Sequence, residues 1–131
     1  MPPPFAIALA VATICSYDPS SAKPNPLGMR TYVSIVAESP TKTRFLYDSF
    51  GNAAYDGAAK RELTINAPLT RARAIMRTNR KTWAALTGEP VDQHDDTYAR
   101  LDPILKCAPA TSRDLKDAAD PTRKHASLPK S

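Results

Sequence analysis

Hydrophobic positions in the first half of the chain recur with the period of β-strands. Residues 30–39 and 43–50 are rich in β-branched and aromatic side chains, and a short Pro-containing turn separates them. Residues 58–66 alternate, with Leu63 and Ile65 on one face and polar side chains on the other. The pattern therefore predicts a hairpin followed by a third strand, in an antiparallel sheet.

The segment before the hairpin also alternates, because large and small apolar residues take turns from Phe5 to Ala12. This period of two predicts a strand at 5–14. A signal-peptide core is the alternative, in an exported protein that loses residues 1–15. No Lys or Arg precedes the run, whereas three prolines do, which favours the strand. The run is too short to span a bilayer, so no membrane partner is expected.

After Pro68 the period changes to that of an α-helix, which is predicted over residues 69–87 and ends at Gly88. The residues at helical spacing are Ala72, Ile75, Met76, Asn79, Trp83 and Leu86, and the apolar stripe includes Ile75, Met76, Trp83 and Leu86. All charged residues on the other faces are cations, namely Arg71, Arg73, Arg77, Arg80 and Lys81. Like charges one helical turn apart repel each other. We therefore expect an anionic group close to this helix.

The rest of the chain is more polar. Residues 89–107 carry five Asp and Glu against two Lys and Arg, and predict one or two broken helical turns. Residues 108–131 predict a mostly flexible tail with at most a short helix around 113–119. At 131 residues and 14.2 kDa, the chain fits a single domain over 1–107 plus this tail.

Net charge and cysteine content bound the function. Eighteen Lys and Arg against 13 Asp and Glu give a net charge of +5, which permits an anionic partner. Cys15 and Cys107 are too few for a disulfide framework, and two free thiols in a reducing compartment are expected. A cross-link, within the chain or between subunits, is the alternative.

Catalytic motifs are missing from the sequence. His94 lies in a short acidic segment, but without the spacing of a metal site, and His125 lies near the end of the chain. Neither a P-loop nor a nucleophile motif is present. The sequence therefore predicts no enzyme, no cofactor and no metal.

The polar face of the predicted sheet suits RNA, because cations meet phosphates and aromatic rings stack on bases. The candidate RNA-binding residues are Arg30, Tyr32, Ser34, Thr43, Tyr47, Lys60, Glu62, Thr64 and Asn66.

A family resemblance rests on the segment KRELTIN at 60–66, the Ala-Pro-Leu-Thr that follows, and the helix that ends at Gly88. Together with the preceding hairpin, residues 30–88 resemble the coat proteins of single-stranded RNA bacteriophages, the levivirus group. The resemblance implies an α+β fold: an antiparallel sheet followed by a long amphipathic helix that packs on a partner subunit, in an interlocked dimer. The helix stripe and third strand predict the dimer interface: Leu63, Ile65, Ile75, Met76, Trp83 and Leu86.

The same resemblance implies that dimers assemble in the bacterial cytoplasm into an icosahedral virion shell. The inner sheet face of that shell would bind single-stranded RNA, including a hairpin. The C-terminal segment could supply a sheet edge, since fewer strands precede residue 30 than the family has. The alternative from another class is a small basic accessory protein of a ribonucleoprotein complex, which uses the same charges without self-assembly.

Overall fold

A six-stranded sheet is the framework of the protein in the computed structural model, which describes residues 12–18, 27, 31–50, 58–88 and 96–128. The strands are β1 (Thr13–Ser16), β2 (Thr31–Ser39), β3 (Lys42–Phe50), β4 (Ala58–Ile65), β5 (Lys106–Pro109) and β6 (Lys124–Ala126). Their order across the sheet is β5-β1-β2-β3-β4-β6. All neighbours are antiparallel except β4 and β6.

The central strands confirm the predicted hairpin and third strand. A turn at Pro40 and Thr41 joins β2 to β3, and the register shifts between Ala37 and Ser39. That shift leaves Thr43 opposite Ala37, so it decides which side chains of β3 face each side of the sheet. Of the predicted first strand, residues 5–11 lie outside the described residues, and β1 extends two residues further than predicted.

In the described residues, four helices accompany the sheet: α1 (Leu69–Thr78), α2 (Arg80–Thr87), α3 (Thr97–Leu101) and α4 (Ser112–Ala118), with a 3-10 turn at Asp102–Ile104. The prediction of one long helix over 69–87 is wrong, because Asn79 takes an extended conformation (φ −122°, ψ 100°) between α1 and α2. Its side chain accepts a hydrogen bond from the Lys81 backbone N–H at 3.0 Å, and so caps a new helix. Within the described ranges, no helix is long and apolar enough to cross a membrane.

The main core lies between α1, α2 and α3 and one side of the sheet, which we call the helix face. Phe45 at the centre of β3 is fully buried, and Tyr98 of α3 approaches it edge-on at 6.1 Å between ring centroids. Burial of each such side chain stabilises the fold by about 1.5–3 kcal/mol. The core residues from the helices are Ala72, Met76, Trp83, Leu86, Tyr98 and Leu101.

This core corrects the predicted dimer interface. Leu63, Ile65, Met76, Trp83 and Leu86 are all at most 5% exposed, and Ile75 packs against them. The helices thus cover the sheet of their own chain, so five of these side chains are buried within it and Ile75 is partly buried against them.

Residues 106–128, which we call the strap, are not the flexible tail that the composition predicts. They form β5 at one edge of the sheet, α4 across its second face, and β6 at the other edge. Ala118 of α4 packs on Val36 and Leu46 in a second, smaller core. The alternative that the C-terminal segment supplies a sheet edge is thereby confirmed, and it supplies both.

The strap gives a direct test by proteolysis. It contains five trypsin sites, at Lys106, Arg113, Lys116, Arg123 and Lys124. Because β5, α4 and β6 are packed or hydrogen-bonded, we expect trypsin to remove the strap no faster than it cuts α1 and α2, as followed by mass spectrometry. Rapid trimming that leaves a folded core of residues 12–105 would contradict this fold.

The two cysteines form a disulfide between β1 and β5, where Cys15 and Cys107 are directly opposite each other. The expectation of two free thiols is therefore wrong, and the intrachain cross-link is present. Loss of residues 1–15 would remove Cys15 and most of β1 from the sheet.

Candidate nucleic-acid interface

Five of the predicted RNA-binding residues share the sheet face opposite the helices, which we call the strap face. Tyr32, Asp48 and Lys60 are neighbours across β2, β3 and β4, and Ser34, Leu46 and Glu62 form the next row. The division of β4 follows the predicted alternation, since Leu63 and Ile65 are buried on the helix face. The five residues that the structure brings together are Tyr32, Ser34, Lys60, Glu62 and Thr64.

Thr43 and Tyr47 were assigned to the wrong face. Thr43 is fully buried, and its hydroxyl donates to the Ala67 carbonyl oxygen at 2.9 Å. Tyr47 lies on the same helix face, where its ring meets Trp83 edge-on at 6.1 Å. Of the other two candidates, Asn66 is exposed in the bend after β4, and Arg30 lies outside the described residues.

The strap covers much of the strap face and binds its charged side chains. Lys60 Nζ lies 3.1 Å from Asp120 Oδ2, and Arg123 pairs with Asp48. Hydrogen bonds from Thr122 to Asp120, together with Lys60, lower the pKa of Asp120 to about 2. Asp120 therefore stays ionised at neutral pH and holds Lys60, which is then not free to meet a phosphate.

The remaining cations of this face are neutralised within the sheet. Arg44 Nε lies 2.9 Å from Glu38 and Arg44 Nη1 lies 3.3 Å from Glu62. Lys42 also contacts Glu38, at 3.5 Å. By formal charge, the described sheet residues of this face carry three cations and three carboxylates, namely Lys42, Arg44 and Lys60 and Glu38, Asp48 and Glu62. Even without the strap, this face offers no surplus positive charge to a polyanion.

A small polar cavity of about 130 Å³ lies between the strap and the sheet. Its lining includes Tyr32 and Ser34 from β2, together with Asp114 and Asp117 from α4. Asp114 is already engaged, because its carboxylate and the Thr111 side chain form a reciprocal cap at the start of α4. The cavity is acidic in character, so it does not suit an anionic ligand.

Surplus positive charge lies instead on α1 and α2. Arg71, Arg80 and Lys81, which we call the helix patch, are exposed. In the part of the chain that the structure describes, no carboxylate lies within 4.0 Å of them. Arg80 and Lys81 occupy the first turn of α2, where no acidic residue is present. Cations at a helix N-terminus are unfavourable, and a bound anion would offset that cost.

The expected anionic group near the helix is Asp102, in the 3-10 turn. Arg73 Nε lies 2.8 Å from Asp102 Oδ1, and Arg77 Nη1 lies 3.1 Å from Oδ2. The buried Tyr98 hydroxyl also donates to Oδ1, at 2.8 Å. Although burial opposes ionisation, hydrogen bonds from Arg73 and Tyr98 and the charges of Arg73 and Arg77 lower the pKa of Asp102. The expectation is thus met for two of the five helix cations.

Burial raises the pKa of the Tyr98 hydroxyl, and its hydrogen bond to the Asp102 carboxylate adds to the rise, so this hydroxyl remains a donor. The Asp102 cluster was missed as a unit by sequence reasoning. Its only sequence signal is charge complementarity, since an acidic segment follows a helix that carries cations alone.

A further role missed from the sequence is that of Arg61. Its Nε donates to the Leu86 carbonyl at 2.8 Å and its Nη2 to the Ala85 carbonyl at 3.2 Å, so it caps the end of α2. Gly88 follows with φ +79°, and a Cβ there would lie 3.0 Å from Arg61 Cζ. Glycine at 88 satisfies both the backbone conformation and this close approach.

Among the described residues, no group of three His, Cys, Asp or Glu is arranged to hold a metal ion. Comparison of the chain with protein-family models, curated proteins and solved structures gives no match.

Proposed function

We propose that this protein binds RNA through its phosphates, and that the helix patch is the surface that does so. The observation that carries the proposal is the exposure of Arg71, Arg80 and Lys81 without a described carboxylate within 4.0 Å. Phosphate contacts supply most of the sequence-independent affinity for nucleic acids. This proposal keeps the predicted partner and moves the contact from the sheet to the helices.

The charge distribution supports this change of surface. On the strap face, Lys60 and Arg44 already bind carboxylates, so phosphate would have to displace Asp120, Glu38 or Glu62. On α1 and α2, Asp102 occupies Arg73 and Arg77 and so fixes the helix beside the patch. Asp102 thus anchors α1, which carries Arg71, while the three cations of the patch stay exposed.

The test replaces Arg71, Arg80 and Lys81 together with glutamine, which keeps helix propensity and removes three charges. Binding of single-stranded RNA of about 20 nucleotides is measured by fluorescence anisotropy at several salt concentrations. For three lost phosphate contacts, the slope of log affinity against log salt should flatten by about 2. Lys60→Ala should leave both the affinity and the slope unchanged.

A matched control removes three exposed cations from the strap: Arg113, Lys116 and Lys124. It makes the same change in net charge on another part of the surface. The proposal requires that this control bind RNA within a few-fold of the unmodified protein. Equal losses in both variants would show that net charge alone attracts RNA, and unchanged binding by the helix-patch variant would reject the proposal.

As a second candidate we propose a coat protein of a single-stranded RNA phage, which assembles into a virion shell. The observation that favours it is the order of the elements, since the β2–β3–β4 meander is followed by helices packed on it. Because five of the six predicted interface residues are buried in their own chain, its subunits must meet largely through other surfaces, such as the exposed edge strand β5. Size exclusion chromatography tests this candidate: a megadalton particle or a stable dimer supports it, and a monomer at micromolar concentration rejects it.

A further inference from the structure

The disulfide joins a buried sulfur to an accessible one. Cys15 in β1 is fully buried in the main core, whereas Cys107 in the edge strand β5 is exposed. The pairing of β1 with β5 spans only four residues. The disulfide adds a covalent bond between β1 and the start of the strap. Of the two cysteines, only Cys107 is exposed to a reductant in solution, and it belongs to the strap.

A cation lies beside the accessible sulfur. Arg73 Nη1 is 3.6 Å from Cys107 Sγ. The guanidinium is held in place from the other side, because its Nη2 donates to the Asp102 carbonyl at 2.9 Å and its Nε donates to the Asp102 carboxylate. A fixed cation at this distance stabilises a thiolate on Cys107, which is the arrangement found at reactive cysteines.

We propose that the Cys15–Cys107 bridge is a reducible lock on the strap, opened by a dithiol that attacks Cys107. The attacking thiolate forms a bond to Cys107 Sγ and breaks the bond to Cys15, which leaves as a thiolate and takes up a proton. The second thiol of the reductant then attacks its own sulfur in the mixed disulfide. Cys107 is released as a thiolate facing Arg73, the protein bridge gains two electrons, and the dithiol becomes a cyclic disulfide.

Opening the bridge loosens the strap from its β5 end. The other anchors of the strap lie further along the chain, where Asp120 binds Lys60 and Arg123 binds Asp48. The main core between α1, α2, α3 and the helix face contains no strap residue other than Ala126. Reduction should therefore free β5 first while the central strands persist. This inference does not depend on RNA binding, since the helix patch lies on α1 and α2.

Hydrogen exchange of the oxidised protein and of the protein reduced with dithiothreitol tests the lock. We expect the amides of β5 to lose nearly all their protection after reduction, whereas those of β2 and β3, although faster because the free energy of unfolding is lower, stay at least about tenfold slower than those of β5. Unchanged exchange in β5 would show that pairing with β1 suffices without the bridge. Equal exchange in β5 and in the central strands would show that the bridge supports the whole fold and not the strap in particular. Either result would overturn the proposal.

The role of Arg73 is tested by the rate at which dithiothreitol reduces the bridge of the folded, oxidised protein, in which Arg73 contacts Cys107 Sγ. Arg73→Gln should slow this rate by about tenfold at neutral pH, and Arg73→Lys should restore most of it. Arg77→Gln is the matched control, because Arg77 also binds Asp102 but has no contact with the sulfur. Equal rates in Arg73→Gln and Arg77→Gln would overturn the assignment of Arg73. Circular dichroism of each variant establishes that it is folded before the rates are compared.

Discussion

Replacing Cys15 and Cys107 together with alanine is expected to lower the free energy of unfolding by about 4 kcal/mol. The bridge closes a loop with a sequence separation of 92 residues, so it restricts the unfolded chain strongly. Alanine is preferred to serine because Cys15 is fully buried, and a serine hydroxyl there would add a desolvation cost. Urea denaturation of the oxidised protein and of the variant measures the difference.

Reduction of the unmodified protein is the control for this experiment, since it removes the bond without removing the sulfur atoms. The two losses should agree within about 1 kcal/mol, allowing for the small cavity that alanine leaves in place of each thiol. A variant as stable as the oxidised protein would mean that the unfolded chain gains no freedom when the bridge is absent.

Asp102→Asn is expected to cost about 3 kcal/mol, because this nearly buried carboxylate compensates two guanidinium groups and a buried hydroxyl. The amide keeps the shape of the side chain but removes its charge and places an N–H toward donors. The effect combines loss of attraction to Arg73 with a poorly satisfied Tyr98 hydroxyl. Thermal and urea unfolding measure the effect.

Asp96→Asn is the matched control for that variant. Asp96 also binds an arginine, with 3.0 Å to Arg100 Nε, but both side chains are more than half exposed. Exposed pairs one helical turn apart contribute about 0.3–0.5 kcal/mol, so this variant should unfold almost like the unmodified protein. Similar losses for the two variants would show that the burial of the Asp102 cluster has no energetic importance.

The dependence on pH follows from the lowered pKa of Asp102. Because the folded protein binds this proton more weakly than the unfolded chain, the stabilisation is fully present above the unfolded pKa of about 4. It declines as the pH falls through the lower pKa of the folded state. The difference in unfolding free energy between the unmodified protein and Asp102→Asn should therefore shrink in acid.

The central sheet could be predicted because its signals are local. Alternation of Leu63 and Ile65 with polar neighbours identified β4, and a Pro-containing turn identified the hairpin. Each of these patterns spans fewer than ten residues, and the strands of the structure form where the patterns predict them. The helical spacing after Pro68 is also a pattern of neighbouring residues. The structure buries the positions that this spacing predicts, namely Ala72, Met76, Trp83 and Leu86.

The strap could not be predicted because its strands have no pattern of their own. All four residues of β5 are exposed, and β6 has only three residues. What places them in the sheet is pairing with β1 and β4, together with the bridge to Cys15. Because these partner strands are far away in the sequence, the pairing produces no alternation of polar and apolar residues within β5 or β6.

The candidate site was misplaced for a related reason. A shift of one residue turns every side chain of a strand to the other face, and the register of β3 depends on the shift beside Ser39. Thr43 and Tyr47 were therefore assigned to the wrong side. Asn79 has the same helical spacing as the buried helix residues, but its side chain caps α2 and does not enter the core. The predicted long helix is therefore two helices.

The order of the strands also determines how the sheet is completed during synthesis. β2, β3 and β4 follow one another in the chain, so they can pair as soon as they emerge from the ribosome. The outer edge of β1 has to wait for β5, whose Cys107 lies 92 residues after Cys15. Until then β1 presents unpaired backbone groups, which invite pairing with other chains. The nascent protein is thus most prone to aggregation before its strap has been translated.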